Sequence, residues 1–357
     1  MRQLSNTEEF CRWLNQFEHP SLTQEWASVP GMVSATATKL TISIPFSASS
    51  LVESLSSWIE SQHCNGHIAP VEYEIIVQPK ALQTHVSHEV SGVKNIIAVT
   101  SAKGGVGKST TAVNLALAIA KSGVKVGLLD ADIYGPSVPL MIGQQGASPQ
   151  VKDDKWMQPI LAHGIYTHSI GYLVSKDEAA IWRGPMASKA LAQLLNETQW
   201  PELDYLVIDM PPGTGDIQLT LAQQVPVTGA VIITTPQDLA LADARKGAAM
   251  FEKVQVPVIG LVENMSYHIC SHCGGKEAIF GVGGAQKMAS EFGLDLLAQI
   301  PLHISLREDT DNGCPSVVAR PDSEQAADYI QLAESVCARM YWHGKEKPQS
   351  IQFTMLD

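Results

Sequence analysis

Positive charge is scarce in this chain. Lysine and arginine total 24 against 36 aspartates and glutamates, a formal net charge of −12, and no stretch gathers basic residues into a patch. A surface of that sign repels phosphate backbones, which disfavours nucleic acid as a partner. Long apolar runs are missing too: no window approaches the ~18 residues that span a bilayer. The first residues do not join a basic segment to an apolar stretch and a small-residue cleavage site, so the reading is cytoplasmic with no membrane partner. Aromatics are only 6% of a sequence that is 45% hydrophobic, so aliphatic side chains must build the core, as in α/β proteins. Cysteine is sparse as well. Of six, Cys11, Cys64, Cys314 and Cys337 stand apart and read as structural or incidental thiols, and only Cys270 and Cys273 share a Cys-x-x-Cys spacing. In a reducing compartment one such pair points to metal or redox chemistry before a structural disulfide.

What is present divides into four stretches. Residues 1–80 alternate at Leu40, Ile42 and Ile44 and again at Val71, Tyr73, Ile75 and Val77, with a helical stripe at Leu51, Leu55, Trp58 and Ile59 that Ser49 or Ser50 is placed to cap. That predicts a small α+β domain. Residues 81–94 are polar and aperiodic, a linker whose length lets the front domain move. Residues 95–342 alternate apolar runs (Ile96 to Val99, Val126 to Leu129, Tyr205 to Ile208, Ala230 to Thr234, Val258 to Val262, Leu296 to Ile300) with helical patterns. This predicts an α/β fold, a mostly parallel sheet covered by helices on both faces, with ligands at the carboxyl ends of its strands. Residues 343–357 read as a tail.

The segment Ala98-Val-Thr-Ser-Ala-Lys-Gly-Gly-Val-Gly-Lys-Ser-Thr-Thr111 organises the third stretch. A strand stops at a glycine-rich turn and a helix starts after it. Gly104, Gly105 and Gly107 let successive N–H groups point inward, and the helix adds the positive end of its dipole. Lys108 supplies charge for the β- and γ-phosphates and the Ser109 hydroxyl is placed to ligate Mg²⁺. This is a Walker A loop of a P-loop NTPase with Ala102 where glycine is usual and an added lysine, Lys103. The pattern resembles the deviant Walker A of the MinD, ParA and Mrp group of ATPases. That resemblance implies that Gly104, Gly105, Val106, Gly107, Lys108, Ser109 and Thr110 bind ATP. It also implies that Lys103 reaches across a two-fold axis to the phosphates held by a second subunit, making the active species a homodimer.

Further motifs fall at other strand ends. Asp130 and Asp132 follow Val126 to Leu129, and alternation points both carboxylates the same way; the resemblance implies that Asp132 positions the attacking water and that Asp130 lies near the metal shell. Tyr205-Leu-Val-Ile-Asp209 is a Walker B strand whose Asp209 holds Mg²⁺ through water. The continuation Met210-Pro-Pro-Gly-Thr-Gly-Asp216 resembles the switch II loop of Mrp-type ATPases, and Gly213 is the residue whose amide is expected to sense the γ-phosphate. Glu263-Asn264-Met265-Ser266 resembles the place where this group binds adenine through an asparagine amide, and Pro301 resembles its other adenine-side contact.

Tyr267-His-Ile-Cys-Ser-His-Cys-Gly-Gly275 follows directly. Cys-x-x-Cys-Gly is a knuckle by which two thiolates clamp one metal or one edge of a cluster, with glycines that let backbone N–H groups approach sulfur. Four ligands are the usual need, and only Cys270 and Cys273 have workable spacing; two copies at a dimer axis supply four thiolates. Spacing leaves zinc and iron both open. Together the deviant Walker A, Asp-Met-Pro-Pro-Gly-Thr-Gly-Asp, Glu-Asn-Met-Ser and the Cys-x-x-Cys resemble the Mrp family of iron–sulfur cluster carriers. The resemblance implies ATP hydrolysis and a labile 4Fe–4S cluster, taken from cluster donors and passed to apo iron–sulfur proteins. Under it, His268 and His272 read as surface or supporting residues, and Arg183-Gly-Pro-Met186 as a family loop of no assigned role. The alternatives are a zinc-bridged ATPase, a MinD- or ParA-like positioning ATPase, which needs a membrane helix or a basic surface, and a nitrogenase-iron-protein-like redox partner, whose cluster cysteines lie far apart in sequence.

Overall fold

The computed structural model describes Leu4 and residues 6–36, 39–174, 184–270 and 272–348. In chain order the front elements are α1 (Thr7–Leu14), β1 (Val33–Ala35), β2 (Lys39–Ile44), α2 (Ser49–Cys64) and β3 (Glu72–Val77). They are followed by β4 (Val93–Thr100), α3 (Lys108–Ala120), β5 (Val126–Asp130), α4 (Val138–Met141), β6 (Val151–Lys152), β7 (Trp156–Met157), β8 (Ile160–Ala162) and β9 (Ile165–Ser169). Next come α5 (Gly184–Asn196), β10 (Leu203–Asp209), α6 (Asp216–Gln224), β11 (Gly229–Thr234), α7 (Asp238–Lys253), β12 (Val258–Ile269) and β13 (Lys276–Glu277). The chain closes with α8 (Gly284–Phe292), β14 (Leu296–Leu302), α9 (Ile304–Asp311), α10 (Ser316–Ala319) and α11 (Glu324–His343).

Apolar runs without alternation make strands buried on both faces, and the large sheet is built from them. Its order is β13-β12-β11-β4-β10-β5-β9-β8, with β14 also on β12. Neighbours from β12 to β9, and β14, run parallel; β13 and β8 close the two ends antiparallel. Successive residues of β4 enter different cores: Ile97 and Val99 join the one built with α3 and α11, whereas Ile96 and Ala98 join Leu191, Leu221 and Phe251 of α5, α6 and α7. Helices therefore cover both faces, as a parallel sheet requires. The hairpin β8–β9, absent from the sequence expectation, turns on His163 and Gly164, both with positive φ. That two-residue mirror-image turn is the one strand twist favours.

The front strands form a separate sheet, β1-β2-β3. Leu51, Leu55 and Ile59 of α2 are fully buried, and Trp58 stacks on Trp13 with ring centroids 5.0 Å apart. The cap of α2 is not a serine. The first residue outside it is Ala48, and the N–H groups of Ser50 and Leu51 donate to the Glu334 carboxylate, 3.0 and 3.3 Å away on α11. A buried charge from 284 residues downstream thus satisfies the exposed amides and dipole of this helix end.

The front domain and the linker make defined contacts with the rest of the chain. Phe46 lies fully buried against Tyr341 and Trp342, worth roughly 2–3 kcal/mol of transfer free energy. Ser47 Oγ donates to the Ile119 carbonyl at the end of α3, and Trp342 Nε1 donates to the Ser21 carbonyl. In the linker, Leu82 and Val90 are buried, the Gln83 N–H donates to the Lys345 carbonyl, and the Lys347 N–H donates to that of Ala81. Apolar side chains that leave water hold these contacts together. Of the tail, residues 349–357 lie outside the described residues.

Candidate nucleotide site and thiol hairpin

The carboxyl ends of β4, β5, β10 and β12 lie at one edge of the sheet because these strands run parallel. Between β4 and α3 the chain turns through Gly105 and Gly107, both at φ +82. A Cβ on Gly104 or Gly105 would meet nothing within 4 Å, so their side of the loop is open. Gly107 is different: a Cβ there would lie 2.1 Å from Asn264 Nδ2. Only glycine fits, for conformation and for space. The helix that follows has 13 residues, enough to put a sizeable dipole behind the loop. Val106 and Lys108 are buried, while Ser109 and Thr110 are half-buried on its first turn.

Lys108 pairs with Asp209, the last residue of β10, and its Nζ also approaches Ser109 Oγ at 3.3 Å. Asp209 is fully buried. Desolvation pushes its carboxyl above the usual carboxylate range, with Lys108 and the Ser109 hydroxyl pulling it back. Its Oδ2 is buried with no hydrogen-bond partner. A half-satisfied buried carboxylate beside a serine hydroxyl is a donor set that a divalent cation completes, so these residues fit Mg²⁺.

Asp130 and Asp132 do not act alike. Asp130, cross-strand partner of Asp209, has both oxygens engaged: Oδ1 accepts from the Asp132 N–H, and Oδ2 from the N–H groups of Ser137 and Val138 and from Ser169 Oγ. Burial and the neighbouring Asp209 push its carboxyl up to about 7. It is a staple for the following loop, and the two aspartates differ in how far their oxygens are engaged. Asp132 is half-buried and accepts only from the Gly135 N–H, at 3.3 Å.

The remaining predicted residues have these partners. Gly213, at φ +108, donates its N–H to the Ser101 carbonyl at 2.9 Å. Lys103 Nζ lies 3.3 Å from Asp243 on α7 of its own chain, a carboxylate also held by Lys246 at 2.9 Å. Asn264 Nδ2 donates to the Val106 carbonyl at 2.8 Å, so that amide hydrogen serves the loop itself. Pro301 is buried beside Ile300, the cross-strand partner of Asn264. Arg183 lies outside the described residues.

Three partners escaped the sequence reading. Asp243 meets Lys103 from 140 positions away. Gln218 on α6 donates to the Pro211 carbonyl at 3.3 Å and to Thr100 Oγ1, leaving its Oε1 buried and unpartnered. Glu263 accepts from Ser266 Oγ, Gln299 Nε2 and the Ala285 N–H. A glutamate in an Glu-Asn-Met-Ser run was the available signal for the last; the other two carry no local mark.

The cysteines sit where β12 turns into β13. His268 pairs with Glu277 and Ile269 with Lys276, the Cys270 N–H donates to the Gly275 carbonyl, and the Gly274 N–H to that of Cys270. Gly274 takes φ +70, and a Cβ on Gly275 would come 3.3 Å from Cys273 Sγ, so both glycines keep the knuckle tight. N–H groups of His272 and Cys273 hold the Cys270 thiol below its usual range, favouring the thiolate that binds metal. Cys270 is half-buried and Cys273 exposed. Among the described residues no three His, Cys, Asp or Glu side chains gather as a metal site, so one chain presents a half-set.

Residues 92–337 match the family model described as ParA, the NUBPL iron-transfer P-loop NTPase. An iron–sulfur cluster carrier protein of Escherichia coli is 65% identical over 264 residues, 74% of this chain and 72% of that protein. Another of that name, from Haemophilus influenzae, is 51% identical over 349 residues, 95% of this chain and 94% of its own length, and so takes in the front domain. Among solved structures, a nucleotide-binding protein of Archaeoglobus fulgidus in complex with ADP superposes with TM-score 0.58 at 37% identity, covering 68% of this chain and 92% of that one. The glycine loop, the sheet that carries it and these likenesses agree: the chain belongs to the ParA/NUBPL iron-transfer P-loop NTPase family.

Proposed function

We propose that this protein binds and hydrolyses ATP with Mg²⁺ and carries a 4Fe–4S cluster as cargo between two copies of the chain, in the cytoplasm, for delivery to apo iron–sulfur proteins. The observation that carries the reading is the half-set of ligands: two thiols on an exposed knuckle, with no third ligand beside them among the described residues, just beyond the strand that also touches the phosphate loop. Two such knuckles face to face supply four thiolates. Iron is favoured over zinc by the names of the Escherichia coli and Haemophilus influenzae relatives.

Phosphoryl transfer asks for alignment and charge neutralisation more than covalent help. The open side of Gly104 and Gly105 takes the phosphates, and Lys108 moves its charge from Asp209 to them. Ser109 directly and Asp209 through water would hold Mg²⁺, which supplies charge neutralisation at the phosphate oxygens. Asp132 orients the attacking water, Gly213 exchanges the Ser101 carbonyl for the γ-phosphate, and Lys103 leaves Asp243 for the phosphates of the partner subunit's nucleotide. Asn264 retains its oxygen and a second N–H for the adenine edge, with Pro301 alongside.

The test is anaerobic reconstitution followed by iron, sulfide and zinc analysis beside a mass measurement of the assembly. About four irons and four sulfides per dimer are expected, lost in Cys270→Ser and Cys273→Ser. Stoichiometric zinc with no sulfide, or a protein that stays monomeric with nucleotide and metal present, overturns the carrier reading.

A further inference from the structure

Nucleotide and thiols are joined by a single strand. Asn264 lies in β12 and Cys270 just beyond its end, six residues on. The Asn264 side chain is buried, donates to the Val106 carbonyl, and sits so near Gly107 that a side chain there would meet it. Gly107 is the residue from which α3 starts, so the carbonyl that Asn264 grips belongs to the turn leading into that helix.

The strand is not uniform after Asn264. Met265 takes φ +54, a left-handed conformation that a side chain of its size adopts only under constraint. Pairing with β14 slips at the same place: Asn264 faces Ile300 and His268 faces Leu302, so four steps along β12 match two along β14. Residues 265–267 are therefore a bulge outside the ladder. On one side of it stands Glu263, which accepts from Ser266 Oγ and Gln299 Nε2 and also from the Ala285 N–H, where the chain returns from the thiol hairpin into α8. One carboxylate thus fastens both the outgoing and the returning limb of the excursion that holds Cys270 and Cys273.

We propose that Asn264 is a positioning residue that couples the phosphate loop to the Cys270–Cys273 hairpin, the strained bulge at Met265 being the element whose geometry changes when the loop fills. The proposal rests on the nucleotide half of the reading above and needs no cluster. A loop that closes on phosphate pulls Val106 relative to β12; the fixed carboxylate of Glu263 holds the base of the hairpin, and the displacement appears at the bulge and beyond it as a new attitude of the two thiols.

Alkylation of the reduced, metal-free full-length protein tests this. Iodoacetamide labelling of Cys270 and Cys273 is followed by mass spectrometry without nucleotide, with ADP, and with a non-hydrolysable ATP analogue at saturation, with exposed Cys64 as the internal reference. In the wild type the ATP analogue should change the rate at the pair by about fivefold or more relative to Cys64. In Asn264→Ala, saturated with analogue as judged by a fluorescent nucleotide, that response should vanish. Met265→Gly, at a φ that glycine adopts freely, should keep its nucleotide affinity and lose most of the response; it decides the matter if Asn264→Ala does not fold. A wild type whose rates ignore a bound nucleotide overturns the coupling, as does an Asn264→Ala protein that keeps the full response. So does one that keeps the response while losing only its preference for ATP over GTP, which would make Asn264 a base contact alone. Because no metal is present, a failure of the iron reading leaves each of these outcomes unchanged.

Discussion

The phosphate loop and the thiol hairpin stand on the same sheet and are built in opposite ways. Around the loop the charges are already paired inside the chain: Lys108 with Asp209, Lys103 with Asp243, and Asp130 with its own backbone and Ser169. The hairpin has no such interior. Its sulfurs are half-buried or exposed, its hydrogen bonds come from its own turn, and nothing else in the described chain approaches as a ligand. Where a charge is buried with its partner inside one chain, as Lys108 is with Asp209, removing it disturbs folding as well as binding. Where the groups lie at the surface and are held by their own turn, substitution is expected to leave folding nearly untouched.

The largest break of that contrast is Lys108→Ala. It removes the charge meant for the phosphates and leaves Asp209 buried without its cation. ATP turnover should fall by about 10²–10³ or more, and urea unfolding should lose on the order of 3–5 kcal/mol. Unaltered stability would mean that the pair does not brace the site. Next is the dry interior itself. His168, fully buried on β9, has its pKa lowered by desolvation from 6.5 to about 4. The unfolded chain therefore binds the extra proton first, and stability should decline as pH falls from about 6.5 to 4, by up to about 3 kcal/mol. Urea titrations across that range should show His168→Gln losing this part of the decline.

Lys103→Ala is expected to lower turnover roughly tenfold, the scale of one charged contact made in the transition state. Asp243 keeps Lys246, so stability should hold. Turnover equal to wild type would remove the cross-subunit role. Smallest are the stability effects of Cys270→Ser and Cys273→Ser: although metal is lost, the urea midpoint should move by less than about 0.5 kcal/mol. A large loss there would make the hairpin a folding element and erase the comparison.

Much of the molecule was legible in advance. Each of the six apolar runs expected as strands, from Ile96 to Val99 through Leu296 to Ile300, lies within an observed strand. The β8–β9 hairpin carries no such run: β8 has three residues and β9 reads Ile-Tyr-Thr-His-Ser, with His163-Gly164 as the turn signal between them. The predicted serine cap on α2 failed because a short polar side chain competes with any better acceptor, and Glu334 arrives from α11 with a full charge. In the linker, Leu82 and Val90 are isolated apolar residues in a polar run, and no periodicity marks that they are buried.

Local items could be read from the chain alone: where the main strands of the large sheet run, where a glycine-rich turn interrupts them, and that two thiols share a knuckle. These follow from neighbours within a few residues, whose sterics and period act before any fold exists. Only the tertiary structure decided which charge neutralises which. Lys103 on Asp243, Asn264 on the Val106 carbonyl and Glu334 at the foot of α2 join groups more than a hundred residues apart. Such pairings depend on how the sheet orders its strands and on which side chains then lose their water together, and neither is written in any short stretch of chain.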